Sequence, residues 1–279
     1  MNNNKIIEKY LKHKIKFKMN TKIFSSIDSL KSNSIFFSQN IDEDLLGKIN
    51  NLKNGILILP KKNNKIKNKI IQIESKKPKL FFFNLVRNLK LKNIKNEKPL
   101  IGKNTIIHKN VYMGINVTIG KNCKIFPGAV IGDNVKIGNG CYIKSNSVIG
   151  QKGFSIIKDS KGNLLEVQHF GGVKINDFVE IGAHNTIAQG TIDNTVISSY
   201  NKFDDHVHIA HNCKISKNNI FCAGVVLGGS VKIGSNNFFG LNCTIRNKIY
   251  IGNNNIIGQA ANVVKNIKNN LTVFGNPAK

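Results

Sequence analysis

Between Ile101 and Val264 the apolar residues recur every six positions, which is neither the spacing of a helix nor that of a simple strand. An aliphatic residue, often followed by Gly, opens each hexad, and a small or β-branched residue takes the fifth place. A period of six suits one short strand plus one corner, so that three hexads close a triangular coil. Five consecutive hexads keep this phase, starting at Ile119, Ile125, Ile131, Ile137 and Ile143. The pattern therefore predicts a β-helix.

The first and fifth positions of each hexad face inward in such a coil, and a single coil cannot bury that face alone. Stacked coils would bury ladders of aliphatic side chains. The predicted first ladder comprises Ile101, Ile107, Met113, Ile119, Ile125, Ile131, Ile137 and Ile143. Four of the five cysteines take the small fifth position, which predicts reduced core cysteines rather than metal or redox groups. These are Cys123, Cys141, Cys213 and Cys243.

The hexad phase is interrupted twice. It is lost after Ile149, resumes at Ile175 and slips by four residues around Asp193. The phased hexads amount to about seven coils. Residues 151–174 contain four glycines and are predicted to form a loop ejected from the β-helix. Long loops in regular scaffolds tend to carry function.

Residues 1–98 lack the repeat and are predicted to form a separate α+β domain ahead of a β-helix domain over residues 99–279. Ser34–Ser38 and Gly55–Leu59 are apolar runs between polar stretches and predict strands. Pro78–Leu91 predicts a helix, and Lys92–Pro99 is interpreted as a linker.

Lysine dominates the charge, with 42 Lys and Arg against 15 Asp and Glu and a formal net charge of +27. The lysines are spread along the chain together with abundant Asn, Ile and Phe, as AT-rich codon usage produces. We therefore interpret the excess as a solvated surface rather than a nucleic-acid site. A basic surface still attracts an acidic carrier protein or nucleotide phosphates. Neither a signal peptide nor an apolar run of membrane-spanning length is recognised, so the expected location is the cytoplasm.

Residues that could carry chemistry concentrate between Phe203 and Cys213. In hexad register Ile209 faces inward, so His211 lies at a corner and projects outward. A carboxylate that bonds one imidazole nitrogen fixes the tautomer and leaves the other nitrogen as a base near neutral pH. Asp204 lies one coil side earlier and is the predicted partner of His211.

The same region carries a specific likeness. Val179–Ile197 and the Asp204–Asn212 run resemble the bacterial UDP-3-O-acylglucosamine N-acyltransferases of lipid A synthesis, which are hexapeptide-repeat transferases. Ile27–Asn40 and Lys77–Val86 are similar to the uridine-binding domain of that family. The resemblance implies a mainly β fold, a left-handed parallel β-helix behind a small α+β domain. It also implies a homotrimer with its sites in clefts between subunits.

The implied reaction moves a 3-hydroxyacyl group from an acyl carrier protein thioester to the 2-amine of a UDP-linked acylglucosamine. His211 matches the family's catalytic histidine, which takes a proton from the amine, and Asp204 matches the residue that orients it. Gly229 matches the glycine whose backbone N–H binds the oxyanion, a donor worth roughly 3 kcal/mol. The resemblance implies no metal or redox cofactor.

The remaining matched positions are assigned to substrate binding. Phe36 matches the family's uracil-stacking phenylalanine, but the chain reads Ile41–Asp44 where the family has a second stacking aromatic. Lys248 stands where the family has a histidine near the donor's phosphopantetheine. The assigned residues are Phe36, His169, Asp205, His208, Asn212 and Lys248.

An acetyl donor is the first alternative. Val273–Lys279 resembles the terminus of hexapeptide sugar acetyltransferases, where this turn lies near coenzyme A. Gln259 and Asn262 are polar where the resemblance would place a long acyl chain. On this interpretation acetyl-CoA acylates a nucleotide-linked aminosugar of surface polysaccharide synthesis.

Two further alternatives come from other functional classes. His206 and His211 have the spacing of two zinc ligands in the hexapeptide carbonic anhydrases, and His169 or His184 would supply a third. The second alternative is a scaffold without catalytic activity, for which replacing His211 would have no functional effect.

Overall fold

The computed structural model describes residues 3–12, 14–16, 18–19, 23–67, 69–88 and 97–279. The chain divides into two compact units, Met1–Ile94 with Ser155–Gln168 and Lys95–Phe154 with His169–Lys279. Most of the segment interpreted as a linker, residues 92–96, lies outside the described residues. Within the described ranges, no helix is both long enough and apolar enough to cross a membrane.

The first unit is built around a three-stranded parallel sheet in the order β1-β2-β3. Its elements within residues 1–94 are α1 Asn3–Leu11, β1 Ile35–Phe37, α2 Glu43–Asn50, β2 Gly55–Leu59, β3 Ile70–Glu74 and α3 Pro78–Asn88. The central strand β2 is buried along its whole length. Asp42 caps α2 by accepting a hydrogen bond from the Leu45 N–H. The two predicted strands are confirmed, and the predicted helix is confirmed over Pro78–Asn88, while its last three residues, 89–91, lie outside the described residues.

The second unit is a parallel β-helix with three sheets of eight, nine and eight strands. The strands before the loop are β4 Leu100–Ile101, β5 Ile106–Ile107, β6 Tyr112–Met113, β7 Thr118–Ile119, β8 Lys124–Ile125, β9 Val130–Ile131, β10 Val135–Ile137, β11 Tyr142–Ile143 and β12 Val148–Gln151. The loop contains β13 Ile156–Lys158 and β14 Leu164–Glu166.

The chain then returns to the β-helix. Its later strands are β15 Val173–Ile175, β16 Glu180–Ile181, β17 Thr186–Ala188, β18 Thr195–Ile197, β19 Lys202–Phe203, β20 His208–Ile209, β21 Lys214–Ile215, β22 Ile220–Phe221, β23 Val226–Leu227, β24 Lys232–Ile233, β25 Phe238–Phe239, β26 Thr244–Ile245, β27 Tyr250–Ile251, β28 Ile256–Ile257, β29 Asn262–Val263 and β30 Thr272–Val273. The sheets that contain β4, β5 and β6 are termed the first, second and third faces.

Each regular coil lies directly on the next. Ile119 pairs with Ile137, the equivalent position three hexads later, and the inward aliphatic side chains form one continuous buried cluster. The four fifth-position cysteines are all buried within it, as predicted. Ile101 departs from the predicted ladder because it lies in the first coil, where its side chain is 46% exposed. The predicted mainly β class, a parallel β-helix with a small α+β unit, is confirmed.

The β-helix has eight complete coils, and β30 belongs to a ninth. About seven coils were predicted because the hexads were followed only as far as Ile257. Beyond that point β29 and β30 continue the stack, although the distance from Val263 to Val273 no longer fits a period of six.

The corners turn at residues with positive φ, most of which are asparagines. Asparagine tolerates this left-handed conformation better than other residues with a Cβ atom, which gives the polar hexad positions a structural reason. In the fourth and fifth coils aromatic rings occupy two of these corners instead. Phe178 stacks on Tyr200 and His184 stacks on His206, with ring centroids 5.2 Å apart in each pair.

The predicted loop leaves the β-helix after β12 and contains an antiparallel hairpin of β13 and β14. Val135, before the loop, still pairs with Val173, after it, so the stacking register is preserved. The predicted four-residue slip is also confirmed, because Val173 pairs with Thr195 rather than with the residue exactly three hexads later. The loop and the slip therefore insert residues outside the coils and leave the stacking of the aliphatic core continuous.

Candidate active site

A pocket of about 410 Å³ lies on the third face, around the fourth and fifth coils. Outward side chains of β12, β17 and β20 form its floor. The start of the loop and the corner that follows β20 form its sides. The residues that define its chemistry are Gln151, Lys152, Gly153, Phe154, Thr186, His208, His211 and Gly229. The loop predicted to carry function therefore contributes to this pocket.

The His211 ring lies between two glycines. Gly229 is one coil later, and a Cβ atom added there would lie 2.8 Å from Nε2 and Cε1 of His211. Gly153 belongs to the start of the loop, and a Cβ atom added there would lie 2.8 Å from the His211 Cβ and 3.1 Å from Cδ2. Because such distances are shorter than van der Waals contact, both positions need glycine for the ring to stay where it is.

A second histidine contacts the same ring. His169 returns from the loop and packs edge-on against His211, with ring centroids 5.9 Å apart and planes at 74°. Its side chain is only 8% exposed. His169, assigned from the sequence to substrate binding, therefore packs against His211 and is not among the residues that line the pocket.

His208 lies on the floor of the pocket. Its Nδ1 is 2.9 Å from the Thr186 hydroxyl, which belongs to the coil before. Burial lowers the pKa of His208 from its ordinary value, which favours the neutral imidazole. A neutral ring in this position can exchange hydrogen bonds with a polar ligand while adding no charge to the pocket.

Asp204 is not part of this pocket. It follows β19, at the corner between the second and third faces, whereas His211 follows β20, at the other edge of the third face. Its carboxylate lies near the Cys222 thiol, whose pKa is raised first by burial and then by this charge. The predicted pairing of Asp204 with His211 is therefore not formed within one chain.

Two other predicted binding residues hydrogen bond to neighbouring coils. Asp205 Oδ1 accepts from the Ala183 N–H at 2.6 Å. Asn212 Oδ1 accepts from the Thr191 N–H at 2.6 Å, which holds the segment of the four-residue slip. Both side chains thus stabilise corners of the β-helix.

The last two predicted residues lie in very different surroundings. Lys248 is exposed at the same edge as His211, two coils later, and its N–H donates to the Gly229 carbonyl at 2.9 Å. Phe36 lies in β1 of the first unit with 0% exposure and packs in a core with Leu45 and Leu57. Stacking of Phe36 on a base would require its ring to leave that core.

The structure of one chain does not bring together the histidines of the zinc alternative. His206 stacks on His184 at the Asp204 corner, because a spacing of five residues carries the chain from one edge of the third face to the other. In the described ranges, no three His, Cys, Asp or Glu side chains are grouped so that they could hold a metal ion.

Gly153, Phe154 and Thr186 are among the pocket residues that were not identified from the sequence. The Phe154 ring is 89% exposed at the edge of the pocket. The position of Gly153 and Phe154 immediately after the last regular strand before the loop is the signal that could have identified them. Thr186 carries no comparable signal, since threonine is a common outward residue in strands.

A substitution at Gly229 tests whether the His211 ring needs the free space beside it. We expect Gly229→Ala to lower kcat/KM about tenfold for any reaction that uses the His211 imidazole, because the new methyl group displaces that ring. Gly47→Ala is the matched control, since a Cβ at Gly47 in α2 meets no atom within 4 Å. Equal activity of the two variants would contradict a steric role for Gly229.

The β-helix matches the model of the bacterial transferase hexapeptide (six repeats) over residues 116–151. A segment of 63 residues is 49% identical to the UDP-3-O-acylglucosamine N-acyltransferase of Coxiella burnetii, and covers 23% of this chain and 18% of that protein. The enzyme of the same name from Campylobacter curvus is 41% identical over 63 residues, 23% of this chain and 20% of the relative. The aligned segment therefore spans about a fifth of the length of these relatives.

The fold also has solved counterparts. The crystal structure of the UDP-N-acetylglucosamine acyltransferase from Bacteroides fragilis superposes with a TM-score of 0.59 at 27% identity, over 65% of this chain and 69% of that one. The UDP-N-acetylglucosamine acyltransferase from Campylobacter jejuni has the same TM-score and coverage at 24% identity, which shows the shared fold. Residues 116–151 therefore match the hexapeptide repeat of bacterial transferases, and the relatives that share sequence with a 63-residue segment of this chain are named acyltransferases.

Proposed function

We propose that this protein is an acyltransferase that moves a 3-hydroxyacyl group from acyl carrier protein to the 2-amine of a UDP-3-O-acylglucosamine, in the cytoplasm. The observation that carries the proposal is the His211 ring, which Gly153 and Gly229 hold beside a pocket of about 410 Å³. The named activity of the relatives in the aligned segment supports the substrate class.

In the proposed reaction the amine nitrogen attacks the thioester carbonyl carbon, and a C–N bond forms. His211 accepts the proton that the nitrogen loses. The tetrahedral intermediate then breaks its C–S bond, and the proton passes from His211 to the departing thiolate, which leaves as a thiol. No other reactant is needed for this balance.

The developing oxyanion needs a hydrogen-bond donor. In the corner after β23, the Gly228 N–H donates to the Ile245 carbonyl and the Ser230 N–H donates to the His211 carbonyl. The Gly229 N–H between them takes no part in this ladder, so it is available to the oxyanion. A backbone N–H in such a position does not reorganise during the reaction, which is why it stabilises charge efficiently.

The third face supports a homotrimer. Its outward residues include no Lys, Arg, Asp or Glu, although the chain has 42 Lys and Arg. They are Tyr112, Val130, Val148, Gln151, Thr186, His208, Val226, Thr244 and Asn262. A cyclic assembly around this face would bring the Asp204 edge of one copy to the His211 edge of the next. Asp204 of one subunit would then orient His211 of its neighbour.

The acetyl alternative has less support from the structure. The Asn262 side chain hydrogen bonds to Thr244 and to Asn276 of the terminal turn, which gives its polarity a structural reason. An assay with both donors distinguishes transfer of an acetyl group from transfer of a long acyl chain.

The proposal is tested by incubating purified protein with UDP-3-O-(3-hydroxyacyl)-glucosamine and either acyl carrier protein thioester or acetyl-CoA, with product mass as the readout. We expect N-acylation by the long-chain carrier thioester. Acetylation alone would move the protein to the sugar acetyltransferases, and no product with either donor would refute the proposal.

A mixing experiment tests the shared site. We expect Asp204→Asn and His211→Ala each to be impaired, and their coexpression to restore part of the activity, because a mixed trimer contains one type of interface with both native residues. A mixture no more active than the better single variant would contradict a site shared between subunits.

A further inference from the structure

Two polar side chains on the floor of the pocket lie between apolar neighbours. Thr186 and His208 are opposite each other in successive coils, with Val148 before them and Val226 after them in the same ladder of outward residues. The Thr186 hydroxyl oxygen is 2.9 Å from the His208 Nδ1. The pair therefore forms its hydrogen bond within an apolar stretch of the third face.

This hydrogen bond bears on which nitrogen of His208 carries the ring hydrogen. A neutral imidazole has one N–H donor and one acceptor nitrogen, and its partners decide which is which. Among the described residues, the Thr186 hydroxyl has no hydrogen-bond partner besides the His208 Nδ1. If Nδ1 were the donor, the Thr186 O–H would have no acceptor in the protein. The hydroxyl therefore favours the tautomer in which Nδ1 accepts and the ring hydrogen is on Nε2.

The surroundings of His208 favour the neutral ring that this tautomer requires. Partial burial lowers its pKa from the ordinary value. The other titratable side chains of the pocket lining are Lys152, at the start of the loop, and His211, at the corner, against which His169 packs. No carboxylate lines the pocket within the described part of the chain, so none stabilises an imidazolium there.

A neutral N–H donor in an apolar stretch limits the kind of atom that it can bind. Val148 and Val226 cannot compensate the desolvation of an anion, which costs far more free energy than the desolvation of an uncharged oxygen. An anionic oxygen is held best by a charged donor, and the cation of the lining, Lys152, belongs to the loop rather than to this ladder. The Nε2–H of His208 therefore suits a hydroxyl or carbonyl oxygen.

We propose that Thr186 is a positioning residue whose hydroxyl holds His208 in the Nε2–H tautomer, so that this N–H binds an uncharged hydroxyl or carbonyl oxygen of a substrate. The inference rests on the proposed function and deepens it, because it gives the two histidines of the pocket opposite roles. His208 donates to a substrate oxygen, whereas His211 needs an acceptor nitrogen for the proton of the amine. A substrate that offers an oxygen to one ring and an N–H to the other satisfies both.

The tautomer can be measured without any substrate. Solid-state nitrogen NMR of protein labelled only at its histidines distinguishes a protonated from an unprotonated ring nitrogen, and the His208 signals are those that His208→Gln removes. We expect the hydrogen on Nε2 in the wild type and in Thr186→Ser. Thr186→Val should give a mixture of tautomers, because its methyl group cannot donate. A hydrogen on Nδ1 in the wild type, or a Thr186→Val spectrum identical to it, would overturn the inference.

Steady-state kinetics test the role of Thr186 in binding. Thr186→Val keeps the shape of the side chain and removes the hydroxyl, so we expect the KM of one substrate to rise about tenfold with kcat within about twofold of wild type. The substrate whose KM rises, the UDP-sugar or the thioester, is the one that carries the oxygen. Thr186→Ser restores the hydroxyl and should restore the KM. Thr118→Val is the matched control, since Thr118 is an exposed outward threonine of β7 on the first face.

A double substitution shows whether Thr186 acts through His208. In a His208→Gln background there is no imidazole to orient, so Thr186→Val should change the KM by less than about twofold. The same rise in KM in both backgrounds would contradict the positioning role, as would an unchanged KM in Thr186→Val alone.

The two proposals can fail separately. A Thr186-dependent hydrogen on Nε2 without any acyl product would support the tautomer and refute the proposed reaction. Acyl transfer by a wild type that carries the hydrogen on Nδ1 would support the reaction and overturn the inference about Thr186.

Discussion

His211→Ala should lower kcat/KM for acyl transfer by about 10² to 10⁴, the range that general-base catalysis supplies. The loss should appear mainly in kcat, because the imidazole acts on the proton in the transition state rather than on ground-state binding. The melting temperature should change little, since the ring lies at a corner beside a pocket rather than in the aliphatic core.

His108→Ala is the matched control for His211. His108 is also an outward histidine of the β-helix, and its ring stacks on Phe126 in the early coils, with centroids 5.1 Å apart. Rates of product formation, followed by mass spectrometry, are measured for both variants and for wild type. They distinguish the loss of a catalytic base from the loss of any outward histidine. Activity of His211→Ala within about threefold of wild type would refute the catalytic role and favour a scaffold without catalytic activity.

Phe221→Ala should cost about 3–5 kcal/mol of unfolding free energy, the largest stability effect that we expect. Phe203, Phe221 and Phe239 stack inside three consecutive coils, with neighbouring centroids 4.5 Å apart and planes at 8°. The Phe221 ring in the middle contacts both of the others and has no exposed surface. Its removal would leave a cavity that a rigid, regular scaffold cannot close.

The control for Phe221 is Phe238→Ala. Phe238 lies in the next strand of the same face, but its ring points outward and is 41% exposed. We expect that change to cost less than about 0.5 kcal/mol. Thermal unfolding monitored by circular dichroism compares the two, and similar melting temperatures would contradict the proposed importance of the aromatic stack.

The hexad pattern predicted the core because inward positions depend only on local spacing. The same spacing that buried Cys123 also placed His211 at a corner, and both predictions hold. The pattern did not predict which corners face each other. The stretch from Asp204 to His211 covers one strand and the corners on both sides of it, so the two residues end at opposite edges of one face.

Other features depended on tertiary context. The side chains of Asn201, Asn219 and Asn237 are buried, and their amides bridge successive coils, as from Asn219 to Asn201 at 2.9 Å. From the sequence these asparagines are only polar positions of a hexad. In the first unit β3 was missed because Gln72 and Glu74 interrupt its apolar run. α2 was missed because Gly47 lies inside it.

The inserted loop also has a consequence for folding kinetics. Most coils close over three hexads of chain, as from Ile119 to Ile137, but the pairing of Val135 with Val173 must also close the loop. The closed segment is then about twice as long, and each doubling costs about 0.6 kcal/mol of entropy. Pairing across this junction is therefore slower than pairing between regular coils. The pairing of β10 with β15 is accordingly the step at which folding of the stack should pause.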